Sequence, residues 1–455
     1  MFALGLSWHS HAQVAVTLPE ANITNRTDYA VVLSTGTYTN TLSLIPNIGV
    51  KANSANFAST VGGSTTIPLS LANLRLQSIG SANLLGGSTE RSLTTAFQSI
   101  YVAVASIGSG AVSINYRINT APQTWIAGIY RAPMEFRTST LGGTNLTPVV
   151  QNLDITVPSF ISPQATLPLL TLNANSLAIF RAAAGVSATS AITVSNTVPY
   201  TLNIQTQNPQ MSFSTSQPYS QLPNTSVGRV STTLSGVTGA VNVALSTSSQ
   251  AITSSTGIAV PASNTQILNN VFSISGTDLS QGFVQAGTYT LRYTLSWTKL
   301  SSAYPSTALQ VQRSGDLQVV VPDLAEIVAN QNTVSLNFNS TAAYQQGISK
   351  DMPAHIRVSR TIPYNVYVRA TNPNFTFGAN TVPVGVMQIG PMAGQLGVNT
   401  VTLSTTPQLL VNGSSPVIDR NLNLQYRIPA AQTQQLLGKS PGNYSNTVIY
   451  SFVAL

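Results

Sequence analysis

The chain contains no cysteine. Disulfides, thiolate nucleophiles and cysteine-type zinc sites are excluded together. Charge is nearly as scarce: Asp, Glu, Lys and Arg make up 7% of the 455 residues, against about 25% in an ordinary soluble protein. The net charge is +8, but only four residues are lysines (51, 299, 350 and 439), and no run of five basic residues occurs. Nucleic-acid binders gather their charge on one face, so the high pI of 9.7 does not point to nucleic acid. No stretch reaches 18 consecutive apolar residues, so no membrane-spanning helix is expected. With eleven carboxylates and a single histidine beyond the N-terminal segment, His355, the supply of acids, bases and metal ligands is thin.

What fills the chain instead is hydroxyl and amide. Ser, Thr, Asn and Gln must carry most of its solubility, as they do on many secreted β proteins. At 43% hydrophobic residues the composition is that of a folded protein. Thr, Val, Ser and Ile alternate, with Gly, Asn and Pro every 8–12 residues or so, the signature of β-sandwiches or barrels. Thr201–Gln205 and Asn365–Arg369 are apolar at one parity and polar at the other. Ala430–Leu437 is the one helical candidate.

The chain is internally repeated. Shifted by 164 residues, Leu153–Phe213 lies on Leu317–Phe377 without a gap, with 18 of 61 positions identical. Val157-Pro158 matches Val321-Pro322, Leu172–Ser176 matches Leu336–Ser340, Thr197–Tyr200 matches Thr361–Tyr364, and Phe213 matches Phe377. Chance matches in a Ser/Thr-rich sequence would not keep Pro, Tyr, Asn-Pro and Phe in one register. A shorter copy stands in front: Val14–Pro19 takes the place of the Val-x-Val-Pro strand, and Tyr38–Leu44 that of the Pro-Tyr strand. Gly128-Ile-Tyr130, Gly287-Thr-Tyr289 and Gly442-Asn-Tyr444 each open a late strand. The expectation is an all-β chain of three tandem Ig-like β-sandwich units, 13–151, 152–315 and 316–455. Residues 1–12 read as the remnant of a signal peptide, with Ser10-His-Ala12 as a small-x-small cleavage site. Tyr130, Tyr289, Tyr444, Tyr200 and Tyr364 are the structural anchors of the repeat. The glycine two residues before each late tyrosine is expected to supply a positive φ, and the ring to form a tyrosine corner, with Tyr289 and Tyr444 buried at equivalent edges.

Leu422–Ile428 and Gly442–Leu455 resemble the closing strands of bacterial fimbrial subunits, above all the spore-coat-U-like pilins of archaic chaperone–usher systems. The resemblance implies an incomplete Ig-like fold that needs a strand from a neighbour, in a cell-surface fibre or adhesin without enzymatic activity. Those pilins usually carry a disulfide and comprise one or two domains, whereas this chain has no cysteine and three units.

Other chemistry has candidates of its own. Asp316, Asp323 and Glu326 form the densest acidic group, short of the six to eight oxygens calcium takes. His355 lies four residues after Asp351, but no Gly-x-Ser-x-Gly elbow is present. His9-Ser-His11 falls in the targeting segment. Trp125 and Trp297, near the Gly-x-Tyr edges, read first as core or edge packing and second as candidates for a sugar-binding surface. No catalytic residue, metal or cofactor is expected. Together these features read as an exported protein of the cell surface or extracellular space, periplasmic in transit, with a structural or adhesive role. An array of carbohydrate- or receptor-binding modules, taking a glycan or a host receptor, is the first alternative, and a polysaccharide-acting enzyme the second. Its partners would be other copies, head to tail, or other envelope proteins. The strand count permits two pairings: if each Val-x-Val-Pro strand completes the unit after it, the molecule is closed and monomeric; if each completes the unit before it, the third unit lacks a strand and the first strand is left over. Val14, Val16 and Leu18 are then candidate donor residues for the third unit of the next molecule, a contact that propagates instead of closing.

Overall fold

The computed structural model describes residues 12–39, 47–63, 65–102, 108–138 and 146–455. Residues 1–11, with His9, His11 and most of the signal-peptide remnant, lie outside them. Three all-β sandwiches follow one another, each made of two facing sheets. Strands form where the alternation said they would: in Tyr200–Thr206 and Tyr364–Ala370, buried and half-buried residues alternate without a break.

In the second unit one sheet runs Ile161–Pro163, Val186–Asn196, Thr265–Ile274, Ser231–Ser235, Val243–Ala244. The other runs Leu170–Asn173, Gln310–Val321, Gly287–Lys299, Tyr200–Thr206, Gln250–Ala251. Three strands of this second sheet define the unit's open or closed state: an opening strand (Leu170–Asn173), a penultimate strand (Gly287–Lys299) and a closing strand (Gln310–Val321). The closing strand is antiparallel to the penultimate one and parallel to the opening one. The first unit repeats this arrangement with Ala12–Thr17 opening, Gly128–Thr138 penultimate and Val150–Val157 closing. Leu153, Ile155, Val157 and Leu317, Val319, Val321, at alternate positions of the two closing strands, are all buried.

Three expectations change. The Val-x-Val-Pro segments Leu153–Val157 and Leu317–Val321 belong to the sheets of the first and second units, not to the starts of the next. Proline ends each closing strand, because it has no N–H for the ladder. Tyr38 ends strand Tyr29–Tyr38, which lies in the facing sheet. The counterpart of the Pro-Tyr strand is Asn47–Ala52, paired with Gly128–Thr138; residues 40–44 of the expected strand lie outside the described residues. Finally, Val14, Val16 and Leu18 are not left over. They are buried, in or beside an opening strand that pairs with Val150–Val157 of their own unit. Opening and closing strands share one alternation, so the apolar pattern alone cannot tell them apart. Ala430–Leu436 forms a 3₁₀ helix.

The units are joined by one repeated device. Thr197 Oγ1 accepts from Phe160 N (3.1 Å) and donates to Pro158 O (2.6 Å). Thr361 Oγ1 accepts from Leu324 N (2.7 Å) and donates to Pro322 O (2.9 Å). Each threonine's carbonyl accepts from the residue ahead of the preceding unit's penultimate strand, Ala127 N to Thr197 O at 2.9 Å and Ala286 N to Thr361 O at 2.8 Å. Both threonines are fully buried. Thr361→Val keeps the shape and strands a buried backbone N–H, so it is expected to cost about 1–3 kcal/mol in chemical denaturation; a loss within error would remove the joint its role. At the second joint Arg181 also bonds Glu326 and Asp419, both at 2.7 Å, and its hydrogen bonds hold both carboxyls below their ordinary range.

Candidate functional site

The third unit departs from the pattern of the first two. Its first sheet is built like theirs: Ala325–Ala329, Gly347–Arg360, Val417–Pro429, Gln388–Pro391, Val401–Thr402. Its second sheet has three strands, Gln408–Ser414, Tyr364–Ala370 and Val448–Ala454. Val448–Ala454 is the penultimate strand, since it pairs with Tyr364–Ala370 as Gly287–Lys299 pairs with Tyr200–Thr206. In the second unit this strand is central. Here it is the sheet edge, and no described strand lies beside it.

The missing strand shows on both sides of the gap. Val334, Leu336 and Phe338 stand 164 residues after Leu170, Leu172 and Ala174 of the second unit's opening strand. Leu172 and Ala174 are 0% exposed, whereas Val334, Leu336 and Phe338 are half-buried and their segment forms no ladder. Opposite them, Tyr444, Val448, Tyr450 and Phe452 are half-buried as well, although all of these side chains are apolar or aromatic. Val334, Val448, Tyr450 and Phe452 pack at the margin of one core cluster, and Leu336, Phe338 and Tyr444 at the margin of a second. Neighbouring strands lie about 4.8 Å apart, and the unpaired N–H and C=O groups of Val448–Ala454 are a template for another strand.

The tyrosine anchors measure the same difference. Tyr130, Tyr289 and Tyr444 each donate to a backbone carbonyl four residues upstream, Ile126 O (2.8 Å), Gln285 O (3.0 Å) and Ser440 O (2.8 Å). Tyr130 and Tyr289 lie opposite Ile155 and Val319 of their closing strands and are buried. Tyr444 has no such neighbour and is half-exposed, which corrects the expectation of equal burial. Phe213 packs on Tyr289 and Phe377 on Tyr444, with ring centroids 4.6 and 5.8 Å apart. This contact also accounts for the Gly-x-Tyr glycine. A Cβ on Gly287 would stand 2.6 Å from the Phe213 ring, and one on Gly442 would run into Phe377. Of the three glycines only Gly287 has a positive φ (154°), so close approach, not turn conformation, is the shared requirement. Tyr200 and Tyr364 open equivalent strands and are buried.

The other candidates are absorbed by packing. Trp125 and Trp297 are buried, so neither offers a sugar-stacking face. Asp323 pairs with Arg360 and Glu326 with Arg181 and Arg357, while Asp316 faces Arg292 at 3.9 Å; among the described residues no cluster of metal ligands forms. His355 sits in the third unit's core, with Nδ1 3.1 Å from Gln331 Oε1 and Nε2 2.9 Å from Tyr426 Oη. Tyr426 in turn meets Tyr450 of the edge strand at 2.5 Å. Burial pushes the His355 imidazole below its ordinary value, so the folded unit disfavours the proton that the unfolded chain takes up. The resulting stability is present above about pH 6.5 and is lost as pH falls through that value towards the folded pKa. Denaturation of the wild type between pH 7.5 and 5 is expected to show this loss in the third unit, and His355→Gln to flatten it; an unchanged slope in the variant would assign the effect elsewhere.

No family model matches the chain, and no curated protein does. Solved structures do. CfaE, the adhesive subunit of CFA/I fimbria of enterotoxigenic Escherichia coli, is 11% identical over 68% of this chain and 98% of its own, with a TM-score of 0.26. The CsuC–CsuE chaperone–tip adhesion subunit complex of archaic chaperone–usher Csu pili of Acinetobacter baumannii gives 13% identity over 64% and 99%, TM-score 0.29. The CupB6 tip adhesin of Pseudomonas aeruginosa gives 10% over 65% and 90%, TM-score 0.26. Scores of this size assign no role to any residue here. Among the described residues, no helix is long and apolar enough to cross a membrane.

Proposed function

We propose that this chain is an exported bacterial surface protein with a structural or adhesive role, joined to a neighbouring subunit by a strand that the neighbour inserts beside Val448–Ala454. The observation that carries the reading is the open edge of that strand, in a unit whose two predecessors are both closed by a strand in the equivalent place. Insertion of an extended segment at a sheet edge draws affinity from main-chain hydrogen bonds and specificity from alternate side-chain pockets. The rows Val334, Leu336, Phe338 and Tyr444, Val448, Tyr450, Phe452 supply those pockets. The closing strands of the first two units set the chemistry of the partner: a strand antiparallel to Val448–Ala454 whose three apolar residues, at alternate positions, fall by register opposite Asn446, Tyr444 and Gly442. Ala12–Thr17 does not serve as that strand, since its own unit uses it. A hydroxyl- and amide-rich surface with 7% charge suits an extracellular setting.

In cells that carry the protein, proteolysis of intact cells is expected to remove it. A high-mass species is expected to survive SDS without heating and to fall to the 47.8 kDa chain on boiling. Val448→Asp combined with Phe452→Asp is expected to abolish that species while the chain is still exported. Protein found only inside intact cells, or a high-mass species indifferent to the two aspartates, would overturn the reading.

A further inference from the structure

The second unit supplies its own closing strand, and the residues leading into that strand do not stay within the unit. The penultimate strand ends at Lys299, and Leu300 N bonds Pro199 O at 3.0 Å. Residues 300–309 then form a loop of turns and bends, closed by Lys299 N to Leu309 O at 2.9 Å, before Gln310–Val321 begins. There Tyr304 lies directly over Gly62: a Cβ on that glycine would meet Tyr304 Cβ at 2.7 Å. Gly62 ends strand Asn56–Gly62, which pairs with the start of the first unit's penultimate strand. The next residue, Gly63, donates to Ala127 O. The approach to a closing strand thus packs on its own unit and, through Tyr304, touches the unit before the one it completes.

The second joint reproduces part of this geometry. Leu455 N bonds Pro363 O at 3.0 Å, as Leu300 N bonds Pro199 O. The strand equivalent to Asn56–Gly62 is Ser212–Ser214, paired with the start of Gly287–Lys299. Beyond it, Thr215 Oγ1 and Tyr219 Oη donate to Ala286 O at 3.0 and 2.9 Å, the carbonyl that corresponds to Ala127 O. Tyr219 Oη also lies 2.9 Å from Thr361 O, which ties this loop to the third unit. Where Tyr304 sits at the first joint, the second has an open cleft of about 580 Å³ walled by Tyr219, Leu222 and Pro223 of the second unit and Pro363, Pro416 and Leu455 of the third. Leu222 and Leu455, both in its walls, are 60% and 51% exposed.

We propose that the strand acceptor is composite: the second unit's loop Pro218–Asn224 binds the residues that precede the inserted strand of the partner chain, in the cleft at the joint. This rests on insertion of a strand beside Val448–Ala454 and specifies the partner further. The incoming polypeptide carries an apolar or aromatic side chain seven residues ahead of the position equivalent to Val311, which faces Trp297 in the second unit, as Tyr304 precedes Val311 in this chain. The antiparallel direction fixes the order. An inserted strand enters beside Ala454, at the joint, and runs past Val448 towards Gly442, so its N-terminal flank is the part that passes the cleft.

The probes are two peptides with this chain's own sequence, residues 310–321 and 303–321, titrated against the full chain by fluorescence anisotropy. The longer peptide is expected to bind about tenfold more tightly. Leu222→Ser is expected to remove that advantage and leave the shorter peptide's affinity unchanged. A Tyr304→Ala version of the longer peptide is expected to lose most of the advantage against the wild-type chain. Equal binding of both peptides overturns the composite acceptor and leaves strand insertion standing. A Leu222→Ser chain that weakens both peptides alike also overturns it, because the loop would then act through the fold of the acceptor. Failure of both peptides counts against strand insertion itself.

Discussion

A peptide of residues 310–321 is expected to raise the unfolding temperature of the third unit and to leave the other two unchanged. The first and second units hold their closing strands covalently, so the peptide has no place in them. In the third unit it brings Leu317, Val319 and Val321 to positions where their counterparts at home are 0–2% exposed. Burying such side chains is worth about 1.5–3 kcal/mol each, and ordering the peptide cancels a large part of the sum. What remains acts by mass action. At a hundredfold excess over its dissociation constant the peptide adds about 2.7 kcal/mol, and for a unit of this size each kcal/mol moves the midpoint by about 2–4 °C. A shift of about 5–10 °C in one calorimetric transition is therefore expected. A control peptide with Leu317→Asp, Val319→Asp and Val321→Asp is expected to produce none. A uniform shift of all transitions, or none with the native peptide, would mean that the edge of Val448–Ala454 is not an acceptor.

The three-unit architecture was legible because its markers are residues that packing holds in fixed register. Phe213 and Phe377 match in the duplication, and in the fold each lies on the tyrosine of its Gly-x-Tyr. Val157-Pro158 and Val321-Pro322 match because both end a closing strand at a joint. The role of Val14–Leu18 was not legible from its alternation, since opening and closing strands both bury every second residue. A signal was nevertheless present: each opening segment leads into a short helix, Glu20–Asn25, Leu177–Arg181 and Thr341–Gln346, whereas the closing strands lead into Val-Pro and a new unit. Thr197 and Thr361 were visible as matched residues, but their work as joints depends on carbonyls and amides of a neighbouring unit that no spacing displays. The unfilled edge sat between these extremes. It was one of two pairings the strand count permitted, and the register of Val150–Val157 and Gln310–Val321 decides between them.

Tyr289 and Tyr444 turn the missing strand into a number that mutation can read. The two residues share their motif, their hydrogen bond to the carbonyl four residues back and their phenylalanine neighbour. They differ in the strand opposite: Val319 faces Tyr289, and nothing described faces Tyr444. Tyr289→Ala is expected to cost about 3–5 kcal/mol, as truncation of a fully buried aromatic does. Tyr444→Ala removes a ring that is still half-exposed and is expected to cost about 1–2 kcal/mol in the free chain, in proportion to the smaller area it buries. With residues 310–321 bound, a side chain again covers Tyr444, and the cost of the same substitution is expected to rise towards that at Tyr289. The rise is a coupling energy between the ring and the strand, readable from a cycle of wild type and variant with and without peptide. Chemical denaturation in which Tyr444→Ala costs as much as Tyr289→Ala without peptide would show that the third unit is already closed. A coupling of zero would place the inserted strand away from Tyr444.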